Sequence, residues 1–286
     1  MFKKIIKFLF IEIFYNGHFQ IFGSLAILIF VSQISNFKIT WDLLVIIYLA
    51  FYFIYLHDRY KGLSIDILTN PTRVQHLKGF YNYIPFILGI NLLTLIVMLS
   101  QFANFYSLVF ILLIVILGFL YPLYFKKLTK KLPLFKNFYV ALVFSILVFL
   151  PFIYYSIPFN QKLWLLTVFV AIFIFLRGLM MQFFLDLKDI EGDRKENLLT
   201  LAVLKGRENV FKILKKIIII TPLFLPILFF IFPTIFPKSV SFLLFLIPIN
   251  FYYLHLVKNH RFFGFILASG EFIPLPILIY VGNLLL

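Results

Sequence analysis

Asp186, Asp189 and Asp193 stand at i, i+3 and i+7 in the stretch DLKDIEGDRKE, residues 186–196. On a helix this spacing places all three on one face. Three carboxylates so arranged repel one another unless a cation sits among them. Oxygen-only ligands suit Mg2+, an ion that commonly bridges protein carboxylates to substrate phosphates. Arg194 and Lys195 follow directly and have the chemistry to bind phosphate oxygens, while Gly192 permits a tight bend or a close backbone approach. The whole chain has 11 acids, and five of them lie in this stretch. In so apolar a sequence that concentration argues for a function rather than for a solvated loop.

Two further polar stretches can face this one. Residues 57–73, HDRYKGLSIDILTNPTR, carry Asp58 and Asp66 with Gly62 midway, Lys61 within and Arg73 and Lys78 after. Eight helical residues span roughly 12 Å, so Asp58 and Asp66 cannot chelate one ion together. Taken alone the segment reads as a polar turn with Pro71 as its breaker. Residues 121–137, YPLYFKKLTKKLPLFKN, are strongly basic. They suit either a diphosphate or the anionic headgroups of a membrane, and the residues alone leave both readings open.

The elements that must position these groups are transmembrane helices. The chain is 63% hydrophobic with a mean hydropathy of +1.04, where soluble domains sit near ~45–50% apolar. The expected fold is all-α, a polytopic membrane protein of one domain over residues 1–286. Nine candidate spans lie at about 19–35, 41–57, 80–100, 104–124, 138–157, 163–185, 213–233, 239–257 and 262–284, each near the ~20 residues a bilayer core requires. Pro222, Pro226 and Pro233 are expected to kink the seventh. The basic, Glu12-interrupted N-terminus reads as an interfacial amphipathic helix rather than a signal peptide. With no Cys, disulfides and thiolate metal sites are excluded.

Of the lysines and arginines, 22 fall on the side of the N-terminus and of the loops after spans 2, 4, 6 and 8, against Lys38, Lys162 and Lys238 on the other. This is a positive-inside signal. It predicts a cytoplasmic N-terminus, an outer C-terminus and a cytoplasmic face for all three polar stretches, in the cell inner membrane. It also accounts for the net charge of +15 without nucleic acid. Arg177 and Glu271 each lie about nine residues into a span from that same side, a depth of roughly 13 Å. They are expected to pair in the bundle interior, as a structural tie or as a group acting on an acceptor. His18, His57, His76, His255 and His260 show no metal-ligand spacing and read as interfacial residues.

Together the three stretches resemble the UbiA family of intramembrane prenyltransferases, a nine-helix bundle with Asp-rich motifs after its second and sixth helices. Asp186, Asp189 and Asp193 fall on the pattern D-x-x-D-x-x-x-D, and Glu191-Gly192, Thr200-Leu201 and Gly206 also resemble that region. Tyr121-Pro122, Lys126, Lys127 and Lys136-Asn137 resemble the family's loop after helix 4. The first motif, N-D-x-x-D-x-x-x-D followed by Pro-x-Arg, matches only in part. With Asp66, Pro71 and Arg73 aligned without a gap, Asp58 takes the Asn position, and Arg59 and Gly62 take the first two Asp positions; a gap restores His57-Asp58 as the Asn-Asp pair and puts Lys61 at the middle Asp, so that the middle acid is missing either way.

The resemblance implies Mg2+ held by Asp58, Asp66, Asp186, Asp189 and Asp193, with Asp186, Asp189 and Asp193 as the catalytic acids. It implies a polyprenyl diphosphate bound by Arg73, Lys126, Lys127 and Arg194, its tail lying among the apolar helices and membrane lipids. The transfer would go to an aromatic or other lipid-soluble acceptor. The alternatives are a family member that binds prenyl lipid without transfer, which the missing middle acid favours, and a small-molecule transporter. Transporter sites usually lie near the membrane midplane, whereas these acids gather at one face.

Overall fold

The computed structural model describes residues 2–259 and 261–286; His260 lies outside them. Among the described residues every regular element is helical. α1 (Phe2–Tyr15) and α2 (His18–Ile34) meet at Gly17, whose φ of +98° is one that L side chains rarely adopt. The long α3 (Trp41–Thr69) leads through Asn70 into α4 (Pro71–Lys78), where Pro71 opens the first turn and costs no hydrogen bond. α5 (Ile84–Phe102) and α6 (Phe105–Leu120) follow, then a π-helical turn over Tyr121–Phe125 and the short α7 (Lys126–Leu128). α8 (Phe135–Ile146) and α9 (Leu150–Tyr154) form the next crossing. After them come α10 (Gln161–Lys195), the short α11 (Leu201–Lys205) and α12 (Arg207–Ile231). The chain closes with α13 (Leu246–Lys258), α14 (Phe262–Ser269) and α15 (Pro274–Leu285).

Among the described residues, seven helical stretches are long and apolar enough to cross a bilayer, and two bent pairs, α1–α2 and α14–α15, bring the number to as many as nine. Two expected boundaries move. α3 and α10 run well past residues 57 and 185, with 29 and 35 residues respectively. At ~1.5 Å per residue α10 is about 52 Å long, against a hydrocarbon core of ~30 Å. Its last turns therefore carry Asp186–Lys195 out of the hydrocarbon without breaking the helix. α12 continues through Pro222 and Pro226 and ends before Pro233. The last span is bent by 64° between α14 and α15, at Gly270 and Glu271.

Buried Phe30, Ile46, Phe173 and Leu275, from α2, α3, α10 and α15, belong to one core. Phe184, Leu214, Val257 and Ala268 belong to a second, among α10, α12, α13 and α14. Phe86, Ile116 and Phe230 point outward, as lipid-facing side chains can without cost because acyl tails are equally apolar. The contact that matters most for the site is α8 against α10. At Gly178 an added Cβ would lie 3.1 Å from Cα of Ala141, so the missing side chain lets the two backbones approach.

Candidate functional site

That close approach brings the first turn of α8 against the polar end of α10. Lys136 is buried there, and its ammonium donates to Asp193 Oδ1 and Oδ2 at 2.8 and 2.7 Å. The same ammonium lies 3.0 Å from Asp186 Oδ1. Asn137 Nδ2 donates to Asp186 Oδ2 at 2.8 Å. The turn is fixed by backbone pairing: Leu134 N–H donates to Leu199 O at 2.9 Å, and Leu199 N–H donates to Thr129 O at 3.0 Å. Thr129 Oγ1 in turn accepts from Lys136 N–H at 3.0 Å. The segments before α8 and after α10 are thus sewn together.

Asp189 projects from the same face of α10. Its Oδ1 is buried without a hydrogen bond, and Lys188 Nζ is 3.7 Å away. Lys188 also donates to Asn70 Oδ1 at 2.9 Å, which ties α10 to the α3–α4 junction. Across the gap Arg73 Nη2 pairs with Asp66 Oδ2 at 2.5 Å. Lys126 Nζ pairs with Glu196 Oε2 at 2.7 Å.

These groups enclose a cavity of about 220 Å3, lined by Asp58, Asp66, Asp186, Asp189 and Asp193 together with Arg73 and Lys126. Gly62 also lines it, where a Cβ would meet only Asp66 Oδ2, at 3.8 Å. Tyr55, Asp58, Tyr121 and Val140 are shared with an apolar chamber of about 80 Å3 that continues to Gly118 and Phe144. A charged mouth therefore opens into a greasy recess among α3, α6 and α8.

Lys127 and Arg194 are exposed and do not line the cavity. Helical phase is the reason: Arg194 is one residue, about 100° around the axis, past Asp193. The wall instead includes Arg59, Lys136, Lys188 and Glu196, to which sequence reasoning gave no role of their own. The available signal for Lys136 was a Lys-Asn pair opening an otherwise apolar helix, where burial demands a partner.

Mg2+ takes hard oxygen donors, and six carboxylates line this cavity, Glu196 included. One of them, Asp189, has a buried oxygen without a hydrogen bond. The donor set fits the ion. Among the described residues no three acids or histidines converge on one point as they stand, and the Lys136 ammonium bridges Asp186 and Asp193.

Deeper in the bundle Arg177 and Glu271 form an ion pair, both fully buried. Arg177 also donates to Thr221 Oγ1 at 2.9 Å and to Asn250 Oδ1 at 2.6 Å, and Asn250 Nδ2 donates to Glu271 Oε2 at 2.7 Å. The network joins α10, α12 and α13 to the bend between α14 and α15. Two of the histidines read as interfacial meet a carboxylate. His18 and His76 approach Glu12 of α1 at 3.3 and 2.5 Å, and so tie the N-terminal helix to α2 and α4.

A model of the UbiA prenyltransferase family matches residues 85–281. No curated protein sequence matches the chain. Among solved structures, a UbiA homolog from Archaeoglobus fulgidus bound to GPP and Mg2+ has a TM-score of 0.62 at 14% identity, over 95% of this chain and 99% of that one. The apo structure of a UbiA homolog from Aeropyrum pernix K1 gives 0.63 at 14%, over 93% and 97%. A structure described for digeranylgeranylglyceryl phosphate synthase in membranes gives 0.54 at 18%, over 97% and 96%. At these identities the likeness is one of fold.

Proposed function

This chain belongs to the UbiA prenyltransferase family, and from that premise we propose that it moves a polyprenyl group from a prenyl diphosphate to an aromatic or other lipid-soluble acceptor within the membrane. The observation that carries this reading is the convergence of two acidic stretches and one basic stretch on a single cavity that runs on into an apolar chamber. The diphosphate lies in the charged mouth, facing Arg73 and Lys126, and the prenyl tail lies in the recess. Fold neighbours solved with GPP or DMAPP and Mg2+ support a prenyl diphosphate as the donor. Asp58, Asp66, Asp186, Asp189 and Asp193 are the residues that would hold Mg2+, which when bound neutralises the charge of a leaving diphosphate. The 22-to-3 charge bias favours a cytoplasmic mouth in a cell inner membrane.

The chain's own part is binding, orientation and exclusion of water. The bond between the allylic carbon and the diphosphate oxygen breaks, that carbon bonds to the acceptor, and the acceptor gives up a proton. Tyr55, Tyr121, Tyr139 and Phe144 line the recess. They keep water from an allylic cation and offer it their ring faces.

The Lys136 bridge and Gly62 favour one second reading, a member that binds prenyl lipid without transferring it. Purified protein incubated with radiolabelled prenyl diphosphates, Mg2+ and lipid-soluble acceptors separates the two. Transfer that is lost in Asp186→Ala and Asp189→Ala supports the enzyme. Diphosphate binding without turnover supports the second reading, and absence of binding sinks both.

A further inference from the structure

Three cations meet on the α3 side of the cavity. Arg59 comes from α3, Arg73 from α4 and Lys188 from α10, and all three lie close enough to repel one another. They line both the 220 Å3 cavity and an adjoining one of about 30 Å3. The cavity's acids pair with them unequally, and Asp58 and Asp66 act on Arg59 only from a distance. Asp66 takes Arg73 and Asp189 stands 3.7 Å from Lys188, but among the described residues no acid lies within ion-pair distance of Arg59.

Arg59 is only 5% exposed, and its Nη1 is buried with no hydrogen-bond partner. Nε of Arg73 is buried and unpartnered as well. The Arg59 guanidinium lies flush under the α1–α2 bend: a Cβ on Gly17 would come within 2.3 Å of Nη1. Glycine at that bend thus serves twice, permitting the positive φ and leaving room for the guanidinium. The Tyr55 ring, 5.7 Å from the guanidinium carbon, offers a π face but accepts none of these N–H groups in a regular hydrogen bond. Buried cations with unsatisfied donors are costly unless an anion joins them. Guanidinium forks fit the paired oxygens of phosphate and carboxylate.

We propose that Arg59, Arg73 and Lys188 form an oxyanion subsite that holds a phosphate or carboxylate group without a divalent ion. It rests on the proposed prenyl transfer only for the source of its ligand, which is either the donor's diphosphate or an acidic group on the acceptor. The position of Arg59 explains how the α3 side works without an acid at Gly62. A fixed cation on the protein adds to the charge that an ion on Asp58 and Asp66 would supply.

The test uses the full chain in lipid nanodiscs with EDTA present, and inorganic diphosphate and benzoate as probes followed by calorimetry and saturation-transfer NMR. At least one probe is expected to bind in EDTA and to lose tenfold or more in Arg59→Gln and in Lys188→Gln, with Arg59→Lys recovering part of the loss. Thermal melts identify any variant that fails to fold, and Lys188→Gln then decides alone. Lack of EDTA-resistant binding to wild type, or binding unchanged in the folded variants, overturns the proposal. Benzoate that stays bound when geranyl diphosphate and Mg2+ are added assigns the subsite to the acceptor. Benzoate that is displaced assigns it to the donor. If geranyl diphosphate fails to bind while an EDTA-resistant anion does, prenyl transfer falls and the subsite stands.

Discussion

Lys136 grips Asp193 through both carboxylate oxygens, at 2.8 and 2.7 Å, while the same ammonium reaches Asp186 at 3.0 Å. A divalent ion that uses these two acids competes with that ammonium. Lys136→Met should therefore raise Mn2+ affinity about tenfold, equivalent to ~1.4 kcal/mol, as read by electron paramagnetic resonance. It should also lower the melting temperature in EDTA, because two buried carboxylates lose their partner, a loss of roughly 3–5 kcal/mol. Mg2+ should restore much of that stability. Weaker Mn2+ binding in the variant would show that Lys136 supports the ion rather than excluding it.

Gly62 faces the cavity with room for a side chain, since its Cβ would contact only Asp66 Oδ2, at 3.8 Å. Gly62→Asp should add a carboxylate between Asp58 and Asp66 without a steric penalty. Helix propensity changes by only a few tenths of a kcal/mol in its favour. Without metal the new charge repels Asp66, so the variant should melt lower in EDTA and gain more than wild type from Mg2+. Equal Mg2+ dependence of the two melting curves would mean that position 62 does not reach the ion.

How much of this was legible varies by residue. The carboxylate face of α10 was, because i, i+3, i+7 spacing survives wherever the helix continues. The continuation past residue 185 was only conditional in the sequence, since charge at a membrane face gives no signal for helix or loop. Lys127 and Arg194 were misplaced because adjacency in sequence is not adjacency on a helix face. The roles of Lys136 and Arg59 were hidden for another reason. Each is decided by a partner far along the chain: Asp193 on α10 for Lys136, and the Gly17 bend for Arg59. The Arg177–Glu271 pair was readable because two opposite charges at equal depth have few alternatives in hydrocarbon.

That pair carries its own prediction. Glu271 sits at the 64° bend of the last span and holds Arg177 and Asn250. Glu271→Ala leaves Arg177 buried without its counter-charge and should cost roughly 3–5 kcal/mol. A chemical-denaturation series in detergent would show it. Arg177→Met combined with Glu271→Leu should recover much of the loss, because neither charge is then stranded. A Glu271→Ala protein as stable as wild type but defective in transfer would instead place Glu271 in contact with the acceptor.

Gly118 of α6 lines the apolar recess, and a Cβ there would lie 2.5 Å from Ile54 of α3. The recess is small, about 80 Å3, and its depth limits how a prenyl tail is accommodated between these helices. Gly118→Ala must push Ile54 aside or narrow the chamber, with an overpacking cost of about 1–3 kcal/mol. Ile54→Ala in the same background removes all three atoms that such a Cβ would meet, at 2.5, 2.5 and 2.7 Å. The expected result is a fall in kcat/KM that grows with donor length in Gly118→Ala, from geranyl to geranylgeranyl diphosphate, and a partial return in the double variant. One methylene in an apolar pocket is worth about 1–3 kcal/mol of discrimination, so a tenfold change in the ratio of the two donors is within reach. An equal loss for both donors would mean that the tail does not run past Gly118, and the route would then have to leave the cavity elsewhere.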